Sequence, residues 1–121
     1  MTKVLVLGMS AVVSLAVACG GAAVPHDKVT AAEAEMRAAE VGGASDVQQA
    51  ALHLKLAQDQ IVKGKALIQE GENEEAALVL DCAQTDAQYA LALAKEETAK
   101  KEAEAAAKEV AELKRKTAKG P

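Results

Sequence analysis

Alanine dominates this sequence to a degree that restricts the folds open to it. It occupies 29 of the 121 positions, and the chain has one aromatic residue, Tyr89, with no Phe or Trp. Alanine has the highest helix propensity of all residues. Val, Ile and Thr, which favour strands, never gather into the alternating runs that a β-sandwich, a β-barrel or a parallel sheet needs. The sequence therefore predicts an all-α fold, and its length allows one domain at most.

Few side chains in this sequence can perform chemistry. Beyond residue 19 there is one serine, Ser45, one cysteine, Cys82, and two histidines, His26 and His53. No cysteine, carboxylate or second histidine accompanies His53 at metal-ligand spacing, and no glycine-rich phosphate loop is present. A net charge of -4 with a single aromatic disfavours nucleic-acid binding. We expect no enzyme activity, no cofactor, no metal and no nucleic-acid partner. We also expect Cys82 to be a buried small apolar residue.

The first eighteen residues have the layout of a secretory signal peptide. A short positively charged start, Met1–Lys3, is followed by the uncharged apolar run Val4–Val17 and then by small residues. This run is shorter than the roughly 20 residues that cross a bilayer as a helix. We therefore predict a cleaved leader over residues 1–18 rather than a retained transmembrane anchor.

The residues around the predicted cleavage point, Leu15-Ala16-Val17-Ala18-Cys19, resemble the lipobox of bacterial lipoproteins. The resemblance implies cleavage after Ala18 and acylation of Cys19, with attachment to the membrane through the acyl chains. The usual pattern has Leu three positions before the cysteine, where this chain has Ala16. An ordinary export signal followed by an incidental cysteine is the alternative. Gly20 replaces the aspartate that retains many such proteins in the inner membrane, which implies an outer-membrane location facing the periplasm.

Residues 19–26 are predicted to form a flexible tether, and residues 27–94 a helical domain. Thr30 with Glu33 matches a capping box for a helix over 28–41, and Ser45 is the expected cap of a second helix over 46–70. Asn73 is a cap candidate for a third helix over 74–94. Fourteen of the twenty bulky apolar residues that follow Cys19 lie between residues 47 and 93, so the core is expected there.

Small residues dominate the apolar faces of the second and third predicted helices. Alanine at contact positions, and Gly64 on the second helix, would allow two helix axes to approach closely. We expect an antiparallel helical hairpin or a small three-helix bundle, with an up-down-up course and modest stability.

Residues 95–121 are predicted to extend the third helix as a solvated, charged rod. Glu and Lys recur at i, i+4 in the orientation that stabilises isolated helices. One apolar stripe with coiled-coil spacing crosses this segment and is a candidate surface for self-association or docking. Its members are Ala99, Ala103, Ala106, Val110 and Leu113. Two bulky residues are few for stable pairing, so a solitary exposed helix is the favoured alternative.

The central stretch resembles a family of small bacterial lipoproteins defined only by a helical domain of unknown function, over about residues 27–97. The segments that carry the resemblance are AALHLKLA at 50–57, GKALI at 64–68, GENEEAA at 71–77 and DAQYALA at 86–92. In that family the domain is sometimes followed by an OmpA-type peptidoglycan-binding domain, whereas a charged helix follows it here, so peptidoglycan binding is not carried over from the resemblance. The same stretch also resembles a tetratricopeptide helix pair, although a stable array of that kind needs at least three repeats.

Three functional hypotheses follow. The first is a lipid-anchored, non-enzymatic protein of the bacterial cell envelope that offers a helical surface to a protein partner. The second is a structural spacer between the outer membrane and peptidoglycan, similar to the major murein lipoprotein. In that lipoprotein the terminal residue is the lysine used for attachment, whereas here Lys119 is followed by Gly120 and Pro121. The third is a subunit of an assembly whose catalytic chain is encoded elsewhere.

Overall fold

The computed structural model describes residues 21–120, and this part of the chain contains no strand. Its α-helices are α1 (His26–Val41), α2 (Gln48–Glu70) and α3 (Asn73–Ala118), with a 3-10 turn over Ala44–Asp46. The predicted all-α fold with a long C-terminal helix is confirmed. The leader and the two residues of the lipidation prediction, Ala18 and Cys19, lie outside the described residues.

The three helices pack as an up-down-up bundle. Contacts between α1 and α3 advance together along both helices, so these two helices are parallel. Contacts between α2 and α3 run in opposite order, so α2 and α3 form an antiparallel hairpin. The pairs are Lys28–Asp81 and Glu35–Gln88 between α1 and α3, and Lys63–Glu75 and His53–Asp86 between α2 and α3. Of the two architectures expected, the structure has the three-helix bundle.

The core is built mostly from alanine. Leu80 is the largest side chain that is completely buried. It packs directly over Gly64, where an added Cβ would come within 2.7 Å of the Leu80 Cγ atom. The expectation that Gly64 allows a close approach of α2 and α3 is therefore confirmed. Because alanine removes little apolar surface from water, tight contact between the helix axes must supply much of the packing.

The helices begin differently from the capping predictions. Thr30 lies inside α1 and donates to the carbonyl of His26, so the predicted capping box is wrong. Ser45 belongs to the 3-10 turn, and α2 begins after Val47 without a side-chain cap. The Asn73 amide donates to the carbonyl of Ala22 at 2.8 Å instead of capping α3. For Asn73 a tertiary contact replaces the predicted cap, whereas the Thr30 hydroxyl bonds within its own helix.

The α2–α3 turn follows the sequence signal closely. Gly71 has φ of 84°, in the left-handed region that glycine adopts without a Cβ penalty. Its amide bonds to the carbonyl of Ile68, and the amide of Glu72 bonds to the carbonyl of Leu67. This pair of bonds is a Schellman motif, which satisfies the last carbonyls of α2 and reverses the chain.

The second part of α3 projects from the bundle. Helix α3 has 46 residues and therefore extends about 69 Å at about 1.5 Å per residue. Every residue from 98 to 120 is exposed, and we call 98–118 the extension. The expected i, i+4 ion pairs on this stretch form between Glu96 and Lys100, Glu97 and Lys101, and Glu112 and Lys116, whereas Glu104 and Lys108 do not form one. None of the helices among the described residues is both long and apolar enough to cross a membrane.

Candidate interaction surface

Helix α3 has two apolar faces. The first faces α1 and α2, and its residues are buried: Ala76, Leu80, Ala83, Ala87, Ala90 and Ala94. Each residue turns an α-helix by about 100°. By that measure the predicted stripe in the extension does not continue the buried face, because Ala99 lies about 140° around the helix from Ala94.

The predicted stripe instead continues backward along the outer side of the bundle. Stepping back from Ala99 by alternate spacings of three and four residues reaches Ala92, Tyr89, Thr85, Cys82 and Leu78, with one charged position at Glu96. All of these residues are exposed. We call the whole row from Leu78 to Leu113 the outer stripe. It extends about 52 Å along α3 at about 1.5 Å per residue.

All five predicted surface residues are exposed and belong to the outer stripe. Ala99, Ala103 and Ala106 form its small-residue middle, and Val110 and Leu113 form one bulky end, with exposures of 49% and 54%. Sequence reasoning missed the other end, where Leu78 is 67% exposed. Extending the heptad spacing upstream of Ala99 would have found it.

The prediction that Cys82 is buried is wrong, because the thiol is exposed. Its neighbours Leu80 and Ala83 do lie in the core. Cys82, however, lies about 160° around the helix from Leu80 and faces solvent. Apolar neighbours in the sequence therefore do not indicate burial here, because α3 is apolar on two opposite sides.

A polar cluster joins α2 to α3 beside the outer stripe. The Asp86 carboxylate accepts from Gln60 Nε2 at 3.0 Å and lies 2.8 Å from His53 Nδ1. The His53 ring meets the Tyr89 ring edge-on, with ring centroids 4.6 Å apart. This cluster fixes the side chain of Tyr89 and thereby one bulky member of the outer stripe. Sequence reasoning left His53 without a partner, since Asp86 is 33 residues away.

A shallow depression of about 440 Å³ opens next to this cluster. Its walls are Gln60, Leu78, Asp81, Cys82, Thr85 and Asp86. Gln60 Oε1 is buried without a hydrogen-bond partner among the described residues. The depression lies at the Leu78 end of the outer stripe.

The electrostatics of the bundle are those of surface ion pairs. Lys65 on α2 donates to Glu33 on α1, and this hydrogen bond holds the pKa of the Glu33 carboxyl below its ordinary value. On α3 the Lys100 ammonium likewise lowers the pKa of Glu96 and has its own pKa raised. Among residues 21–120 no three His, Cys, Asp or Glu side chains are grouped as metal ligands would be. His26, at the start of α1, is exposed.

Residues 27–106 match a family described as a domain of unknown function, DUF4398. The match begins where the sequence resemblance predicted and continues past residue 97 into the extension. No curated protein and no solved structure matches the chain.

Proposed function

Because the chain belongs to DUF4398, a family without an established function, we propose a function for it from its own surfaces. We infer that it is a non-enzymatic helical interaction protein whose outer stripe on α3 binds a protein partner. The main support for this function is the outer stripe itself. It places Leu78, Tyr89, Val110 and Leu113 in solvent along one heptad-spaced line, which is the pattern of a coiled-coil contact.

The rest of the bundle supports this proposal. Burial of the opposite face of α3 against α1 and α2 fixes the helix in place, so the outer stripe is a preformed surface. The polar cluster around Asp86 holds Tyr89 on it. Ion pairs within the extension favour a helix there without tertiary contacts. A partner would therefore meet an ordered helix.

We place this protein in the bacterial cell envelope, anchored by acyl chains on Cys19 after cleavage at Ala18. The support is the lipobox-like sequence, and the outer membrane facing the periplasm is the location it favours. A tether of only a few residues separates Cys19 from α1, because α1 begins at His26. The bundle would then lie against the bilayer, and its partner would be another envelope component.

The anchor is tested by feeding cells an alkyne-bearing fatty acid and isolating the full-length protein. We expect label on the wild-type chain and its recovery with membranes. The Cys19→Ser variant should lose both, while Cys82→Ser should retain both. Unlabelled wild-type protein would contradict the proposed anchor and location, but not the interaction surface.

The interaction surface is tested by photo-crosslinking in the same cells. A photoreactive residue at Ala106 lies on the outer stripe, whereas one at Ala105 lies about 100° away around the helix. Both positions are exposed alanines in the extension, so neither substitution disturbs the core. We expect a protein adduct from position 106 and little from position 105. Equal adducts from both positions, or none from 106, would contradict a specific surface.

The length of α3 supports a second candidate, a spacer that bridges the outer membrane and peptidoglycan. A helix of about 69 Å that starts beside the tether could cross a wide gap if it stood upright. Digesting purified cell wall with a muramidase and searching for a fragment linked to Lys119 tests this function. Absence of such a fragment from cells that contain the protein would contradict covalent attachment.

A further inference from the structure

The outer stripe has the heptad positions of a complete coiled-coil seam. With Cys82, Tyr89 and Val110 assigned to position a, position d is occupied by Leu78, Thr85, Ala92, Ala99, Ala106 and Leu113. The buried residues of α3 then fall at b and f, on the opposite side of the helix. The flanking e and g positions contact α2 and α1, for example Asp86 with Gln60 and Asp81 with Lys28, so a helix that packs on a and d would lie between these contacts.

We propose that the outer stripe binds the same stripe of a second copy of this chain, antiparallel, with Asp81 opposite the partner's Lys116. This inference deepens the proposed function and rests on it, since it names the protein that the surface binds. The choice of a second copy, and of this orientation, follows from the charges that flank the stripe.

The flanking g positions avoid like-charge contacts only in the antiparallel arrangement. In an antiparallel pair g faces g, and the proposed register sets Lys95 against Glu102, Asp81 against Lys116 and Gln88 against Glu109. By two-fold symmetry each charged pair occurs twice. Asp81, Gln88 and Lys116 already contact Lys28, Glu35 and Glu112 of their own chain, so Lys95 against Glu102 is the contact that distinguishes this register.

In a parallel pair g faces e, which sets Asp81 against Asp86, Lys95 against Lys100 and Glu109 against Lys114. Two of these three charged pairs are like charges, which oppose pairing.

Lys95 and Glu102 are the strongest indication of an intermolecular contact. Neither has a charged residue three or four positions away on α3, where an intrahelical partner would lie. Within residues 21–120 neither forms an ion pair. Lys114 also lacks such a neighbour on α3, but Lys95 and Glu102 are opposite in charge and lie one heptad apart at position g, so they fit a partner's helix.

Side-chain sizes fit the same register. The bulky Tyr89 meets the partner's Ala106, and Cys82 meets the partner's Leu113. At the centre Glu96 meets the partner's Ala99, and this small residue leaves room for Glu96 to keep its bond to Lys100. Large side chains therefore face small ones, as close packing of two helices requires.

The paired helices overlap over residues 78–117, about 58 Å. The two tethered ends then lie at opposite ends of the rod. Two copies anchored in one bilayer would lie along its surface, and neither would stand upright. The proposed dimer is therefore incompatible with the bridging spacer described above.

Disulfide crosslinking in intact cells tests the register, using the full-length chain and a mild oxidant. Leu113→Cys places a thiol opposite the partner's Cys82 and should give a disulfide-linked dimer on a non-reducing gel. Ala106→Cys is the matched control, because it lies one heptad earlier on the same exposed face. It should give no dimer band, and neither should the wild type. Cys82→Ser combined with Leu113→Cys should lose the band.

Other outcomes overturn the proposal. A dimer from wild-type Cys82 would indicate a parallel pair, and a dimer from Ala106→Cys alone would indicate another register. No dimer from Leu113→Cys would exclude this contact. An adduct with a different protein would exclude self-pairing while supporting the proposed interaction surface. Fatty-acid labelling of the same samples reports separately on the anchor.

Charge reversal tests the ion pairs in the Leu113→Cys background. Lys95→Glu places a glutamate opposite the partner's Glu102, and Glu102→Lys places a lysine opposite the partner's Lys95. Each single reversal should lose the dimer band, and the double reversal should restore it. Both positions are exposed, so folding of the bundle is not at risk. Failure of the double variant to recover would contradict the Lys95–Glu102 contact.

Discussion

The two parts of α3, residues 73–97 and the extension 98–118, contain seven alanines each but differ in how many of them are buried. In residues 73–97 five of the seven are buried against α1 and α2, whereas in residues 98–118 all are exposed. The first part is held by tertiary packing around Leu80. The second is held by helix propensity and by ion pairs such as Glu112–Lys116.

Helix formation and burial are therefore separate consequences of the high alanine content of α3. Alanine makes both parts helical, but only the first part has α1 and α2 beside it. The end of α1 reaches α3 at Leu91, next to Gly42, and the extension continues beyond this point. Substitutions in one part of α3, or in its contacts, should therefore change the stability of that part and leave the other part unaffected.

Truncating Leu80 should have the largest effect. Leu80→Ala removes the largest fully buried side chain, and such substitutions cost about 2 to 5 kcal/mol. Leu113→Ala, in the extension, should change the free energy of unfolding of the monomer by less than about 0.5 kcal/mol. Urea denaturation at low protein concentration measures both. Similar losses from the two variants would show that the extension packs on the bundle.

Replacing alanine by glycine at matched positions compares the two parts of α3 directly. Ala87→Gly loses helix propensity and a buried methyl group, about 2 kcal/mol together. Ala106→Gly loses propensity alone, and because the extension carries no core contact, it should leave the unfolding midpoint of the bundle unchanged. Hydrogen exchange should show the cost of Ala106→Gly as faster exchange confined to residues 98–118. Global destabilisation by Ala106→Gly would contradict this separation.

Adding a methyl group at Gly64 tests the close approach of α2 to α3. Gly64→Ala gains about 1 kcal/mol of helix propensity, but overpacking against Leu80 costs about 1 to 3 kcal/mol. We expect a net loss of about 1 kcal/mol in thermal or urea unfolding. In the Leu80→Ala background the space is open, so Gly64→Ala should become stabilising. A loss of equal size in both backgrounds would rule out the contact.

Acid should weaken the α1–α2 contact slightly. The folded pKa of Glu33 is lowered by Lys65, so this pair stabilises the bundle above the ordinary carboxyl pKa and loses its effect as pH falls through the folded pKa. Glu33→Gln should be less stable than wild type by under about 1 kcal/mol at neutral pH. The gap should close below about pH 4, and in the Lys65→Met background it should shrink to the smaller effect of Arg37. A gap that widens in acid would reverse the assigned sign.

Much of the fold was predictable because its signals are local. The alanine content, the Gly71 turn and the spacing of apolar residues indicate the helices, and Gly64 indicates their close contact. The capping predictions at Thr30 and Ser45 were wrong because α1 already begins at His26 and Ser45 belongs to a 3-10 turn ahead of α2. Half of the outer stripe was found from the sequence, while Leu78 and Tyr89 were assigned to a general core because bulky apolar residues are ordinarily buried.

Local sequence patterns establish that this chain is helical, where α2 turns into α3, and that the extension is charged and solvated. Those properties depend on contacts within a few residues of one another. The packing of the three helices establishes which apolar face of α3 is buried, that Cys82 faces solvent, and that His53 meets Asp86. These outcomes depend on where α1 and α2 pack around α3, and no short-range pattern in a helix with two apolar faces specifies that choice.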